Sequence, residues 1–342
     1  MTRRILGIIL GTLLGSLTAF AQTVALNPHH PDRYVVVKGD TLWDIAARFL
    51  KDPWLWPEIW YQNPDIHNPH LIYPGDVISL VYVNGKPRLK VQRGPAVARL
   101  SPKARSQSLA QAIPTIPLDA IRPFLTRPLV VGEHDLERAP YVLASADEHL
   151  IAGAGDRIYA RGIQDKAHAR YNLFRAGDAY VDPDTGEVLG YAALYLGEAQ
   201  VQRFGDPATL AVNASTREIA SGDRLLPVTD ENTRAHFLPH APAKDVGGRI
   251  IAVMDGVREI GQYQVVVLNR GTREGIEVGH VLRVRQAGET LRDPVDPKHR
   301  QVRLPDEDAG LVMVFRTFEK VSFGLVMDAR RPIHVLDRLA RP

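Results

Sequence analysis

Tyr34 to Leu80 reads YVVVKGDTLWDIAARFLKDPWLWPEIWYQNPDIHNPHLIYPGDVISL, and its punctuation describes one small folding unit. Tyr34 to Val37 is a short run rich in β-branched residues, the signal of a strand. Lys38-Gly39-Asp40 turns the chain. Thr41 stands where an N-cap belongs and Asp44 follows three residues later, the spacing of a capping box. Leu42, Ile45, Ala46 and Phe49 recur at i, i+3, i+4 and i+7, which gives a first helix one apolar face. Pro57 suits the start of a second short helix, where its missing N–H has no partner to lose. Asn63-Pro64-Asp65 breaks that helix, Tyr73-Pro74-Gly75-Asp76 turns, and Val77 to Leu80 closes the unit as a second strand.

The βααβ layout resembles a LysM domain, the module that binds N-acetylglucosamine-containing glycans such as peptidoglycan. The matching residues are Gly39-Asp40-Thr41-Leu42, Ile45-Ala46, Asn63-Pro64, Ile72 and Pro74-Gly75-Asp76, in order and at the spacing of that family. The resemblance implies a groove between the loop after the first strand and the loop before the second. Its expected glycan contacts are Gly39, Asp40, Thr41 and Leu42 on one side, and Asn63, Pro64, Asp65 and Ile66 on the other. A glycine lets backbone approach a ligand closely, and the first N–H groups of a helix are free to donate to sugar and acetamide oxygens. All four tryptophans, Trp43, Trp54, Trp56 and Trp60, fall in this unit. They are read as core of a very small domain in preference to a sugar-stacking platform.

Outward from the module the composition changes. Residues 1–21 carry Arg3 and Arg4, an apolar run and Ala19-Phe20-Ala21, which reads as a signal peptide cleaved after Ala21 and places the protein in the periplasm. The run is too short for a membrane span, and no later one is long enough. Between Val77 and Leu118 there is no acidic residue, while Lys86, Arg88, Lys90, Arg93, Arg99, Lys103 and Arg105 all occur there. Residues 82–115 are therefore expected to form a basic flexible linker. Export and a formal net charge of only +3 argue against nucleic acid as a partner.

The remainder is rich in short apolar stretches and turns, predicting one β-rich domain at 116–228 and another at 249–342. Gly190 to Leu225 aligns with Gly310 to Leu339, ending in the matched Asp223-Arg224-Leu225 and Asp337-Arg338-Leu339. Asn269-Arg270-Gly271, Gly275 and Gly279 open the second copy, with Tyr171-Asn172 to Asp178 as the analogous place in the first. This part resembles the C-terminal domain of flagellar assembly protein T and related β-barrel modules. The fold class expected is α+β and multidomain: a LysM module, a basic linker, and a mostly-β region of one or two small-barrel-like subdomains.

Catalytic signatures are missing. The chain has no cysteine, which removes cysteine peptidase and transpeptidase chemistry. There is no His-x-His for a zinc hydrolase and no Ser-x-x-Lys for a penicillin-binding enzyme. His67 and His70 read as loop packing, and Asp306-Glu307-Asp308 as a solvated turn. No metal, cofactor or enzymatic activity is expected. In outline, with Ile116 to Val131 just after the linker, the chain resembles the type IV pilus secretin-associated proteins. That resemblance implies an adaptor whose partners are peptidoglycan and an outer-membrane secretin. The alternative is a wall-bound or flagellar-assembly structural protein without a secretin, and less so a peptidoglycan-remodelling enzyme.

Overall fold

A computed structural model of the chain describes residues 24–60, 71–93, 112–125, 130–132, 135–146, 149–164, 167–228, 237–254 and 259–342. Residues 1–21, read above as a signal peptide, Asn63 to Ile66, and His67 and His70 lie outside the described residues.

In the module, β1 (Arg33–Val35) pairs antiparallel with β2 (Val77–Val83). The helix α1 (Leu42–Phe49) begins at Thr41 as its N-cap, while the reciprocal bond of a capping box, from the Thr41 backbone N–H, is replaced by one from its hydroxyl. Asp44 N–H donates to Thr41 Oγ1 at 3.1 Å and the Thr41 hydroxyl donates back to Asp44 Oδ2 at 2.7 Å. Its apolar face is buried through Leu42, Ile45, Ala46 and Phe49. A second helix, α2, is only Trp56–Ile59. Trp43, Trp54 and Trp56 are buried in the core, and Trp60 meets Trp56 edge to face with ring centres 5.7 Å apart. The tryptophans thus fill a domain too small to exclude water without them.

The stretch expected to be a flexible linker is in part built into the module, and this corrects the reading of 82–115. After β2 the chain reverses at Asn84-Gly85, both with positive φ (51° and 74°), and returns as β3 (Lys86–Gln92). Asn-Gly with two left-handed residues is the preferred two-residue hairpin. Lys86, Arg88 and Lys90 alternate with Pro87, Leu89 and Val91, and Leu89 and Val91 are buried. Arg88 donates to the Glu58 carbonyl and Arg93 pairs with Asp76. These cations therefore brace the module. Arg99, Lys103 and Arg105 lie outside the described residues.

Beyond it come α3 (Leu118–Leu125), β4 (Val130–Val131) and α4 (Asp135–Arg138). The first barrel contains β5 (Tyr141–Ser145), β6 (Ile151–Ala152), β7 (Arg157–Arg161), β8 (Arg170–Val181), β9 (Val188–Arg203), β10 (Ala208–Ser215), β11 (Ile219–Ala220) and β12 (Arg224–Pro227). The second contains β13 (Gly248–Val253), β14 (Val265–Leu268), β15 (Val281–Gln286), a side hairpin of β16 (Thr290–Arg292) and β17 (Gln301–Arg303), β18 (Glu307–Thr317), β19 (Ser322–Ala329) and β20 (Arg338–Ala340). The second closes in the order β13-β14-β19-β18-β15-β20. In the first, β10 pairs with both β7 and β9, so the ring runs β5-β7-β10-β9-β8-β12 and back to β5. Taken in chain order, these are the same topology. The match extends to a detail outside the rings: Ala152 pairs with Ile219 in one barrel, and Ile260 with Ile333 in the other.

The aligned repeat is thus two copies of one barrel. One correspondence needs correction. Asn269-Arg270-Gly271 follows β14, so its counterpart follows β7 at Arg161-Gly162. Tyr171-Asn172 lies one strand later, inside β8.

Each barrel is filled from inside, the first by Val142, Ile158, Leu173, Leu196, Leu210 and Leu225. The second is buried on its outside too. Along β14, Val266 and Leu268 face the barrel interior while Val265 and Val267 join the core of the module. Along β18 and β19, Leu311, Met313, Phe315, Phe323, Leu325 and Met327 do the same. Two-sided burial explains why these strands read as unbroken apolar runs.

Candidate functional site

One turn is used repeatedly through the fold, and the expected groove begins at a copy of it. In each copy the first residue's carbonyl accepts the fourth residue's N–H, the third residue has positive φ, and the fourth side chain accepts the first residue's N–H. The copies are Val37–Asp40, Tyr73–Asp76, Gly153–Asp156, Ala220–Asp223, Gly261–Gln264, Glu277–His280 and His334–Asp337. The third positions are Gly39, Gly75, Gly155, Gly222, Tyr263, Gly279 and Leu336, all left-handed. Positive φ at the third residue is the demand of a type II turn and accounts for the glycines. The fourth residue then leads into the next element.

The first of these turns, Val37–Asp40, forms one side of the expected sugar groove; the other side, Asn63 to Ile66, lies outside the described residues. Gly39 has φ +101°, with no atom within 4 Å of where a Cβ would sit. Its role is therefore conformational, and the space beside it is open. Asp40 Oδ2 accepts both Val37 N–H at 2.9 Å and the Tyr34 hydroxyl at 3.0 Å. Burial, followed by the Asp40 hydrogen bond, raises the Tyr34 pKa. Thr41 and Leu42 are buried.

The donors at the start of α1 are already engaged. Leu42 N–H donates to the Pro114 carbonyl at 3.0 Å and Trp43 N–H to the Thr115 carbonyl at 3.1 Å. At its other end, Ile113 N–H donates to the Ile72 carbonyl at 2.8 Å. Residues 113–115 thus bridge the start of α1 and Ile72, a few residues before β2. No signal in the local sequence marks this, because the bonds are made by backbone groups far apart in the chain.

Elsewhere, one ligating atom each of His240, Glu277 and His280 lies within 4.8 Å of the others. His280, however, fills the fourth place of the repeated turn, and its Nδ1 accepts Glu277 N–H at 3.1 Å. The neutral ring then carries its proton on Nε2, leaving no lone pair for an ion. Burial, and then the neighbouring His240, hold the His280 pKa below the usual histidine value, which keeps that ring neutral. The trio is thus a turn and its neighbour. Asp306 and Asp308 are likewise engaged, Asp306 with Arg303 and Asp308 with Arg283 and Arg330.

In the described residues the module is a three-stranded sheet with two short helices. The LysM domain family model matches residues 34–81, so the chain carries a LysM domain there. An uncharacterized protein of Bacillus subtilis (strain 168), YqbP, is 38% identical over 60 residues, which cover 15% of this chain and 27% of that protein. The LysM domain is a binding module and not a catalytic one. No helix among the described residues is long and apolar enough to cross a membrane.

Proposed function

We propose that the protein is a non-catalytic periplasmic adaptor that holds peptidoglycan through its LysM domain and an outer-membrane secretin of a type IV pilus through its β-barrel region. The observation that carries the reading is the LysM domain at 34–81. Glycan contacts are assigned to Gly39, Asp40, Thr41 and Leu42 together with Asn63, Pro64, Asp65 and Ile66. A single small module holds glycan weakly, so copies gathered around an oligomeric partner bind the wall by avidity.

Two measurements test it. The full-length protein sediments with insoluble peptidoglycan and is displaced by N-acetylglucosamine oligomers; failure to sediment removes the wall-binding half. The same protein used as bait in a detergent-solubilised envelope captures a secretin. Capture of wall or flagellar components without a secretin replaces the second half with a general structural role.

A further inference from the structure

Residues 113–116 occupy the module from within, and their contacts run in two directions. Towards the groove, Pro114 and Thr115 supply carbonyls to Leu42 and Trp43, and Ile113 donates to Ile72. The first N–H groups of a helix have no partner within it. Here the chain supplies that partner with its own backbone, in the manner of an extended ligand. Pro114 within the contact and Pro117 just after it carry no N–H that would be left buried without an acceptor. Ile113, Thr115 and Ile116 are 7%, 5% and 1% exposed, so the segment is inserted and does not merely lie on the surface.

Towards the second barrel, Thr115 Oγ1 accepts Phe237 N–H at 3.4 Å. The helix that follows is tied down when Arg316 on β18 donates to the Phe124 carbonyl at 2.6 Å. The module itself is held to the same barrel by Tyr263, whose hydroxyl donates to Asp44 Oδ1 at 2.8 Å.

We propose that residues 113–116 are an internal occupant of the LysM groove, that glycan must displace them to reach Leu42 and Trp43, and that their release loosens the hold of the segment on the second barrel. The proposal rests on the groove being the glycan site. Apparent affinity is then the intrinsic affinity reduced by the fraction of molecules with the groove open. Any change that weakens the occupant tightens glycan binding, and glycan binding in turn frees the Thr115–Phe237 contact.

The test uses the full-length protein and its Ile113→Ser variant, titrated with N-acetylglucosamine hexamer by calorimetry, with hydrogen exchange read at the Leu42 and Trp43 amides. The expected result is binding about tenfold tighter in the variant, reflecting a larger open fraction, together with faster exchange at both amides. If the Ile113→Ser melt shows loss of fold, Ile113→Ala serves, with about threefold tighter binding expected. Equal affinities with both amides freed in the variant overturn the competition and leave the glycan site standing. Protection unchanged in the variant shows that the segment does not hold those amides and overturns the occupancy. Absence of hexamer binding by either protein, with the amides freed, overturns the glycan site and the competition with it.

Discussion

At the scale of single residues the fold depends on one turn used many times. Gly39 illustrates its demand: open space surrounds the missing Cβ, yet φ is +101°. Gly39→Val is therefore expected to cost about 1–3 kcal/mol through backbone strain. Thermal melting and glycan titration should fall together, and a binding loss with an unchanged melt would instead place the side chain against the ligand. His280 shows the same turn with an unusual acceptor. Its folded-state pKa lies below the unfolded value of 6.5. The contribution of the neutral ring is thus full above that pH and fades as the pH falls through the lower folded value. Gln264 performs the same role without titrating. His280→Gln should accordingly keep the melting temperature at pH 8 and flatten its decline between pH 7 and 5, while added zinc should leave the wild-type melt unchanged. A zinc-dependent rise would instead make His240, Glu277 and His280 a metal site.

At the scale of elements, β3 is the instructive case. The LysM match ends at residue 81, but the sheet continues through Asn84-Gly85 into β3, and Leu89 is fully buried. Leu89→Ala should cost about 2–5 kcal/mol, measured by denaturant unfolding. A fragment ending at residue 81 should be far less stable than one ending at residue 93; equal stability would make β3 dispensable. The hairpin was legible in the Asn-Gly pair and in the alternation of Lys86, Arg88 and Lys90 with Pro87, Leu89 and Val91. Cations at the alternate positions of β3 hide that period of two within a run of like charge. The repeat, by contrast, was legible from the matched Asp-Arg-Leu ends, because Asp223 and Asp337 close the same turn before the same strand.

At the scale of the whole molecule, the two barrels are clamped by the β8–β9 hairpin. Asp182 pairs with Arg270, Asp184 with Arg249, and Glu187 with Arg273 and Lys320. Asp182 is the buried member and also accepts the N–H groups of Asp184 and Thr185. Asp182→Asn should destabilise the protein by about 1.5–3 kcal/mol, seen as a lower melting temperature; no change would mean that the clamp is incidental. Hydrogen bonds from Arg273 and then Lys320 lower the Glu187 pKa from 4.5 to about 2. Its contribution, modest because the pair is exposed, is present above about pH 4.5 and disappears as the pH falls towards 2. Glu187→Gln should remove that part of the acid sensitivity.

The primary sequence was sufficient for the LysM module, its Thr41 N-cap, its mostly buried tryptophans and the β-rich repeat. Each of these is written in local periodicity or in glycines that a turn requires. Three features depended on residues distant in the chain: closure of each barrel, burial of the outer face of the second, and insertion of residues 113–116 beside Leu42 and Trp43. Backbone carbonyls carry no side-chain signature, so nothing in Ile113-Pro114-Thr115-Ile116 announces which N–H groups it will meet. Its partners at Leu42 and Trp43, and Phe237 on another side, come together only in the tertiary structure.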